Sequence, residues 1–265
     1  MKVFRTTASW RRWRKSLRKN LSLGFVPTMG ALHAGHLSLV EKSQKVCDRT
    51  VVSIFVNPTQ FGPNEDFKKY PRTESQDLAL LKQAGVDAVY MPKNPSEVYS
   101  SADQTRVSPR LDLAKILEGR FRPGHFEGVA TVVAKLFGIV SPEKAFFGEK
   151  DYQQLQVISA MVEDLFMPVK IVACPTFREK SGLAMSSRNR YLPENEKIAA
   201  AALYRVLKKA GSLEGGRKHL NALGFKLEYL ECWSKDLSEE KPDGHGLWLV
   251  AARFKGVRLI DNLRR

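Results

Sequence analysis

His33 and His36 stand three residues apart at the start of an amphipathic segment, after an apolar run (Leu23–Val26) and a tight loop built on Pro27 and Gly30. Imidazoles at that spacing can donate hydrogen bonds to charge as it develops on phosphorus. The helix N-terminus predicted there adds backbone N–H groups without partners and a partial positive charge, and both favour an anion. Gly35 has no Cβ to hold a ligand away. A bare His-x-x-His spacing is more often surface or metal chemistry. The strand–loop–helix setting is what points to a nucleotide phosphate.

Two further clusters can do related chemistry. In Gly148-Glu149-Lys150-Asp151 a glycine follows a strand-like run and Lys150 brings a mobile cation. Asp151 can cap the helix it opens, accept from a ribose hydroxyl, or help hold a magnesium shell. Gln154, one turn beyond Lys150, faces the same side and can bond a small polar substrate. The plainer alternative is a capped surface helix with solvated charges. In Met185-Ser186-Ser187-Arg188 two hydroxyls and a planar guanidinium form a donor group for phosphate oxygens. Lys180-Ser181-Gly182 before it is flexible enough to close as a lid; the alternative there is a serine-rich turn.

The elements that must position these groups alternate in type. Strand-like runs at 23–26, 50–56, 88–91, 145–147 and 170–173 are interleaved with helical patterns at 35–45, 75–84, 127–140 and 151–165. This alternation implies an α/β, Rossmann-like parallel sheet with right-handed crossovers, over residues 1–175. Ligands in such sheets sit beyond the carboxyl ends of the strands, where the loops after Val26, Val56 and Phe147 are predicted to converge. Residues 176–265 read as a smaller α+β lid domain: one helix over 194–210, a short one near 217–223, and strands at 227–233, 247–254 and 257–260.

The chain has 265 residues, 43% of them hydrophobic and 27% charged, within the range of an ordinary globular protein. Its net charge of +15, from 43 basic and 28 acidic residues, raises the possibility of nucleic-acid binding. The densest run, Arg11–Lys19, repeats Trp10, Trp13 and Leu17 at helical spacing, so it reads as an amphipathic helix with a solvated basic face. Cys47, Cys174 and Cys232 are scattered without a C-x-x-C pair, as expected of thiols in a reducing cytosol. No apolar run resembles a signal core or a membrane span, and a cytoplasmic location without membrane contact is expected.

Taken together, the blocks PTMGALHAGH (27–36), SIFVNPTQFGPNEDFKKYPRT (53–73), EGRFRPGHFEGVATVVAKLF (118–137), FFGEKDYQQL (146–155), GLAMSSRNRYL (182–192) and RLIDN (258–262) closely resemble the pantoate–β-alanine ligases. The likeness covers essentially the whole chain and extends to the layout of adenylate-forming nucleotidyltransferases related to class I aminoacyl-tRNA synthetases. It is weaker over the last third. Ala34 stands where many relatives carry an acidic residue, with little effect expected on the chemistry.

The resemblance implies an ATP-dependent condensation of (R)-pantoate with β-alanine through pantoyl adenylate, releasing AMP and pyrophosphate. By position, Met29, Gly30, Ala31, Leu32, His33, Ala34, Gly35 and His36 would line the ATP site, with His33, His36 and Lys150 as the catalytic groups. Gly148, Glu149, Lys150 and Asp151 would meet the ribose and α-phosphate. The backbone at Phe177 would meet adenine, Met185 would belong to the ATP site, and Ser186, Ser187 and Arg188 would bind the departing pyrophosphate. Gln60 and Gln154, with Asn57 nearby, would bind pantoate, whose methyl groups need an apolar wall such as Phe61, Val129, Val132 and Val133. His125 would be structural or a gate. Mg²⁺ would arrive on the phosphates, any protein ligands to it being unknown, and a homodimer is implied. Two other readings remain: a nucleotidylyltransferase that transfers AMP and stops, without need of Gln60 and Gln154, and an RNA-binding module resting on the positive charge.

Overall fold

The computed structural model describes residues 1–18, 20–63, 65–101 and 104–265. Lys19 of the basic run and Asn64 of the 53–73 block lie outside the described residues. Strands β1 (Lys2–Phe4), β2 (Leu23–Thr28), β3 (Arg49–Ile54), β4 (Ala88–Tyr90), β5 (Lys144–Gly148) and β6 (Lys170–Cys174) form one parallel sheet in the order β1-β4-β3-β2-β5-β6. Helices α1 (Thr7–Ser16), α2 (Ala34–Val46), α3 (Glu74–Gln83), α4 (Leu111–Ala114), α5 (Leu117–Phe121), α6 (His125–Val140) and α7 (Tyr152–Asp164) occur along the same stretch. Both faces of the sheet are covered, as near-continuous apolar strands require. Trp10 of α1, Val129 and Val133 of α6, and Ile158 of α7 pack on one face. Leu39 and Val40 of α2 and Leu81 of α3 pack on the other.

The strand order reverses between β2 and β5, and there the sheet splits. Their pairing stops at Phe25↔Ala145, whereas β2 continues beside β3 to Thr28↔Ile54 and β5 beside β6 to Gly148↔Cys174. Pro27 lies just past the split; lacking an N–H, it has no ladder donor to lose there. The resulting crevice at a topological switch point is where the loops after Val26 and Phe147 emerge.

After β6 come α8 (Glu194–Ala200), α9 (Ala202–Lys209), α10 (Leu213–Ala222) and an antiparallel sheet β7 (Lys226–Trp233), β8 (Leu247–Phe254), β9 (Val257–Arg264) in the order β7-β8-β9. β8 shows the two-residue period of a strand buried on both faces. Leu247, Leu249 and Ala251 join the core beneath α6 and α7, while Trp248, Val250 and Ala252 face α9 and α10.

Several boundaries differ from the sequence reading. The single helix expected over 194–210 is two, broken at Ala201, where ψ relaxes to −12°. The helix expected near 217 starts at Leu213, because the Ser212 side chain accepts from Gly215 N and caps it. β1, α4 and α5 have no counterpart in the sequence pattern; each is five residues or shorter, too brief for a periodic signal. The basic run forms α1 only as far as Ser16. Trp10 is fully buried with its indole N–H on the Ile139 carbonyl at 2.9 Å, and Arg11, Arg12 and Lys15 remain at the surface.

Candidate active site

The β2/β5 crevice opens into a cavity of about 240 Å³ lined by the loops after β2, β3 and β5, by α6, and by residues 175–177 and 185–188. Of the residues singled out from sequence, it brings together Met29, His33, Gly35, His36, Asn57, Gln60, Gly148, Lys150, Asp151, Gln154, Phe177, Met185, Ser186, Ser187 and Arg188. The expected apolar wall of Phe61, Val129, Val132 and Val133 lies on the same cavity. Gly30, Ala31, Leu32, Ala34 and Glu149 are not on its wall.

The reason for the first of these absences is a buried carboxylate. Gly30 and Ala31 turn through left-handed dihedrals (φ 81° and 50°), and the amides of Ala31 and Leu32 then point at Asp77 of α3, at 3.0 and 2.8 Å. The amides expected to meet phosphate are therefore engaged by a side chain 1% exposed. Sequence reasoning missed Asp77, although an acid at i−4 from the fully buried Leu81 interrupts the apolar face of α3.

His33 is itself the N-cap of α2: its Nδ1 accepts from Gly35 N at 3.1 Å, which places its proton on Nε2. The ring lies over Gly35, where a Cβ would come within 2.9 Å of His33 Cε1. Gly35 thus makes room for the imidazole, a correction to its expected role of admitting a ligand. The His36 ring stacks on His33 with centroids 4.1 Å apart, and its buried Nδ1 has no partner. Burial, then Lys150 and Arg190, lowers the His33 pKa to about 4; burial, then the neighbouring His33, pushes His36 well below its usual value. Both imidazoles are neutral at physiological pH, so they act as polar N–H donors rather than as cations.

Lys150 is largely buried, with Asp151 Oδ2 at 3.7 Å. Its backbone is fixed from the C-terminal sheet: Asn262 Nδ2 donates to the carbonyls of Glu149 and Lys150 at 2.8 and 3.0 Å. Asn262 falls within the RLIDN block, where sequence alone gives it no task. Asp151 makes no capping hydrogen bond, contrary to expectation, because a 3₁₀ turn over Glu149–Asp151 precedes α7 and leaves its carboxylate toward the opening.

Asn57, expected beside the substrate, is instead a positioning group. Its Oδ1 accepts from Thr59 Oγ1 at 3.1 Å and from Tyr99, while Nδ2 donates to the Gly128 carbonyl at 3.2 Å and to Gln60 Oε1 at 3.1 Å. With its oxygen so engaged, Gln60 turns its NH₂ group to the cavity as a donor. Gly128 permits this: a Cβ there would meet the Thr59 carbonyl oxygen at 2.3 Å and push the Gln60 turn away. Behind Gln60, His125 Nδ1 lies 2.8 Å from the Gln60 carbonyl, and its Nε2 lies 2.9 Å from Arg122.

The Ser-Ser-Arg turn is also pre-engaged. Ser186 Oγ accepts from Arg188 N, Ser187 Oγ donates to the Ala31 carbonyl at 3.1 Å, and Arg188 forks onto Asp66 at 2.7 and 3.0 Å. Nη1 of Arg188 takes no part in that fork and can meet a phosphate oxygen directly, whereas presenting the whole fork requires releasing the carboxylate. Lys180-Ser181-Gly182, expected as a flexible lid, forms a tight turn closed by Gly182 N on the Glu179 carbonyl.

The depressed histidines carry a stability consequence. His33, His36 and His125, the last also held at about 4 by burial and then by Arg122, stay neutral in the fold but protonate near 6.5 when unfolded. Stability is therefore complete above pH 6.5 and is lost as pH falls toward 4, by about 1 to 2 kcal/mol for each of His33 and His125 between pH 6.5 and 5, with His36 acting in the same direction. Thermal unfolding across this window should show a falling midpoint, shallower in His125→Asn. A midpoint constant from pH 6.5 to 5 would contradict the assignment.

A split parallel sheet with anion donors on one side of its crevice and an apolar wall on the other defines an α/β enzyme of the nucleotide-binding class. Residues 2–264 match the family model described as Pantoate-beta-alanine ligase. The chain belongs to that family of amide-forming ligases. It is 50% identical over 256 residues to the pantothenate synthetase of Cereibacter sphaeroides, covering 91% of each chain. The crystal structure of pantothenate synthetase from Thermus thermophilus is 45% identical, with a TM-score of 0.92 and coverage of 100% of this chain and 99% of that one. The pantoate-beta-alanine ligase from Francisella tularensis, complexed with beta-gamma ATP and beta-alanine, is 40% identical with a TM-score of 0.90, covering 100% and 97%.

Proposed function

We propose that the protein joins (R)-pantoate to β-alanine using ATP, through a pantoyl-adenylate intermediate. The observation that carries the reading is one cavity holding both a phosphate-facing group (His33, His36, Lys150) and a carboxylic-acid pocket (Gln60, Gln154 and the Phe61, Val129, Val132, Val133 wall). An amine attacks a free carboxylate poorly until one of its oxygens is made a leaving group. In the first step the pantoate carboxylate attacks the α-phosphate and pyrophosphate departs. In the second the β-alanine amine attacks the acyl carbon, AMP departs, and the amine loses a proton.

Gln60 donates through Nε2 to the pantoate carboxylate, and Gln154 bonds its hydroxyls. The neutral imidazoles donate to the α-phosphate as negative charge gathers there, and Lys150 supplies a full positive charge. Arg188, Ser186 and Ser187 receive pyrophosphate as Asp66 is displaced. Mg²⁺ would arrive on the triphosphate, where Asp151 at the cavity wall could hold one of its waters, and would there supply charge neutralisation for the phosphates. A division at 175/176, with the second unit as lid, is supported by the separate core around Leu203, Leu207 and Trp248. A homodimer and a cytoplasmic setting complete the proposal; among the described residues no helix is long and apolar enough to cross a membrane.

The test is mass detection of pantothenate and AMP from pantoate, β-alanine, ATP and Mg²⁺, each omitted in turn. Product should need all of them, and pantoate alone should drive pyrophosphate exchange into ATP. Exchange driven instead by a phosphorylated acceptor would shift the reading to an AMP-transferring relative. Replacing Gln60 or Gln154 with alanine should raise the pantoate KM at least about tenfold, the scale of one or two lost hydrogen bonds to a charged group, with the ATP KM little changed. A defect confined to ATP would remove both residues from the pantoate pocket.

A further inference from the structure

Side chains from two sequence blocks, 118–137 and 258–262, meet in a buried ion network behind Gln60. Glu118 of α5 is 7% exposed. Arg258 of β9 grips it through Nη1 and Nη2 at 2.6 and 2.7 Å, and Tyr229 of β7 donates to it at 2.8 Å. One turn along, Arg122 brings Nη1 to 3.7 Å from Glu118 Oε2. That same Nη1 lies 2.9 Å from His125 Nε2, while Nε and Nη2 of Arg122 hold Glu65, each at 2.8 Å. A guanidinium only donates, so His125 Nε2 accepts and the ring proton sits on Nδ1, aimed at the Gln60 carbonyl 2.8 Å away.

We infer that Arg258 is a positioning residue for Gln60: by occupying Glu118 it leaves Arg122 free to brace the His125 ring through Nε2, and that ring in turn holds the Gln60 turn. The reasoning is a competition for the position of one guanidinium nitrogen. Arg122 Nη1 stands between a carboxylate and a neutral imidazole, and a carboxylate is the stronger acceptor. With Arg258 present, two guanidinium bonds and the Tyr229 hydroxyl already serve Glu118, so Arg122 stays with His125. Burial raises the Glu118 pKa, but the Arg258 bonds and charge, with Arg122 behind them, override it and hold the group at about 2. Without Arg258 the nearest cation to this buried charge is Arg122. Its Nη1 then moves toward Glu118 and His125 Nε2 loses its donor; the Gln60 carbonyl still calls for the proton on Nδ1, but the ring that holds it is no longer braced from behind. Because Arg258 and Tyr229 belong to the antiparallel sheet, the seating of that sheet is read at the substrate amide. The functional part rests on the proposal that Gln60 contacts pantoate.

Arg258→Gln, Glu118→Gln and the double variant, read by steady-state pyrophosphate exchange and by ¹⁵N shifts of the histidine rings in substrate-free protein, decide the matter. Arg258→Gln should raise the pantoate KM about tenfold with the ATP KM within about twofold, and the His125 Nε2 resonance should shift as its hydrogen bond from Arg122 is lost. The double variant removes the Glu118 charge, and Arg253 at 3.3 Å still serves Glu228, the other carboxylate that Arg258 holds, so Arg122 returns to His125. Its pantoate KM and its ¹⁵N shifts should then come back close to wild type, a rescue that a merely structural staple would not give. If Arg258→Gln does not fold, the double variant alone must show the wild-type pantoate KM and the wild-type His125 Nε2 shift. A double variant no better than Arg258→Gln, or equal rises in both KM values, would overturn the inference. Absence of pantoate-dependent exchange in the wild type would sink the proposed function instead, while the ring shifts would still show whether Arg258 sets His125.

Discussion

Replacing His36 with alanine should lower pantoate-dependent pyrophosphate exchange by about two to three orders of magnitude, the usual loss for one pre-aimed donor to a charge-rich transition state. The ring is buried against His33 at 4.1 Å between centroids, so its direction is fixed before substrate arrives. Its depressed pKa makes it a neutral N–H donor, and so the effect should fall on kcat with little change in the ATP KM. The pH profile carries the sign. A histidine acting as a cation would lose activity as pH rises through 6.5. A neutral donor keeps activity flat there and loses it only toward pH 4, where His33 protonates. Near-normal exchange in His36→Ala, or a steep fall between about pH 6 and 7.5 abolished by that variant, would refute the assignment.

Lys150→Ala should cost a comparable factor, about a hundredfold or more in kcat, because a full charge facing phosphorus in a dry crevice is poorly replaced by water. Lys150→Arg should recover little. The Asn262 bonds hold the backbone of residues 149 and 150 at fixed distance, and a planar fork does not reproduce the point charge of an ammonium. The informative control is Asn262→Ala, which leaves Lys150 in place but frees its turn. It should lower kcat by a smaller factor with the ATP KM also rising. Full activity in Lys150→Ala, measured by single-turnover formation of AMP, would detach this residue from the adenylation step.

These two variants also separate the proposed ligase from a binding protein suggested by the +15 charge. An RNA-binding function would depend on surface cations such as Arg11, Arg12 and Lys15 and would be indifferent to a buried imidazole. Salt dependence of RNA binding in the absence of any ATP turnover is the result that would favour it.

The sequence by itself determined the sheet and most of its helices, because burial on one or both faces imposes periods that survive in the chain as a pattern of apolar residues. It also determined which local segments carry chemistry. His33 and His36, Lys150 and Asp151, Gln154, and Ser186 to Arg188 all line one cavity. Each cluster is contiguous, and its strand-to-helix context is visible within about ten residues. What it could not carry is the pairing of polar groups far apart in the chain. Asp77 engages the amides of Ala31 and Leu32 across 46 and 45 positions, and Asp66 takes the Arg188 fork across 122. Asn57, equally legible as a substrate amide, is closed off by Tyr99 and the Gly128 carbonyl. Tertiary packing alone decided which donors remain free for a ligand. A hydrogen bond is satisfied by whichever partner the fold brings within about 3 Å, and no local periodicity records that choice.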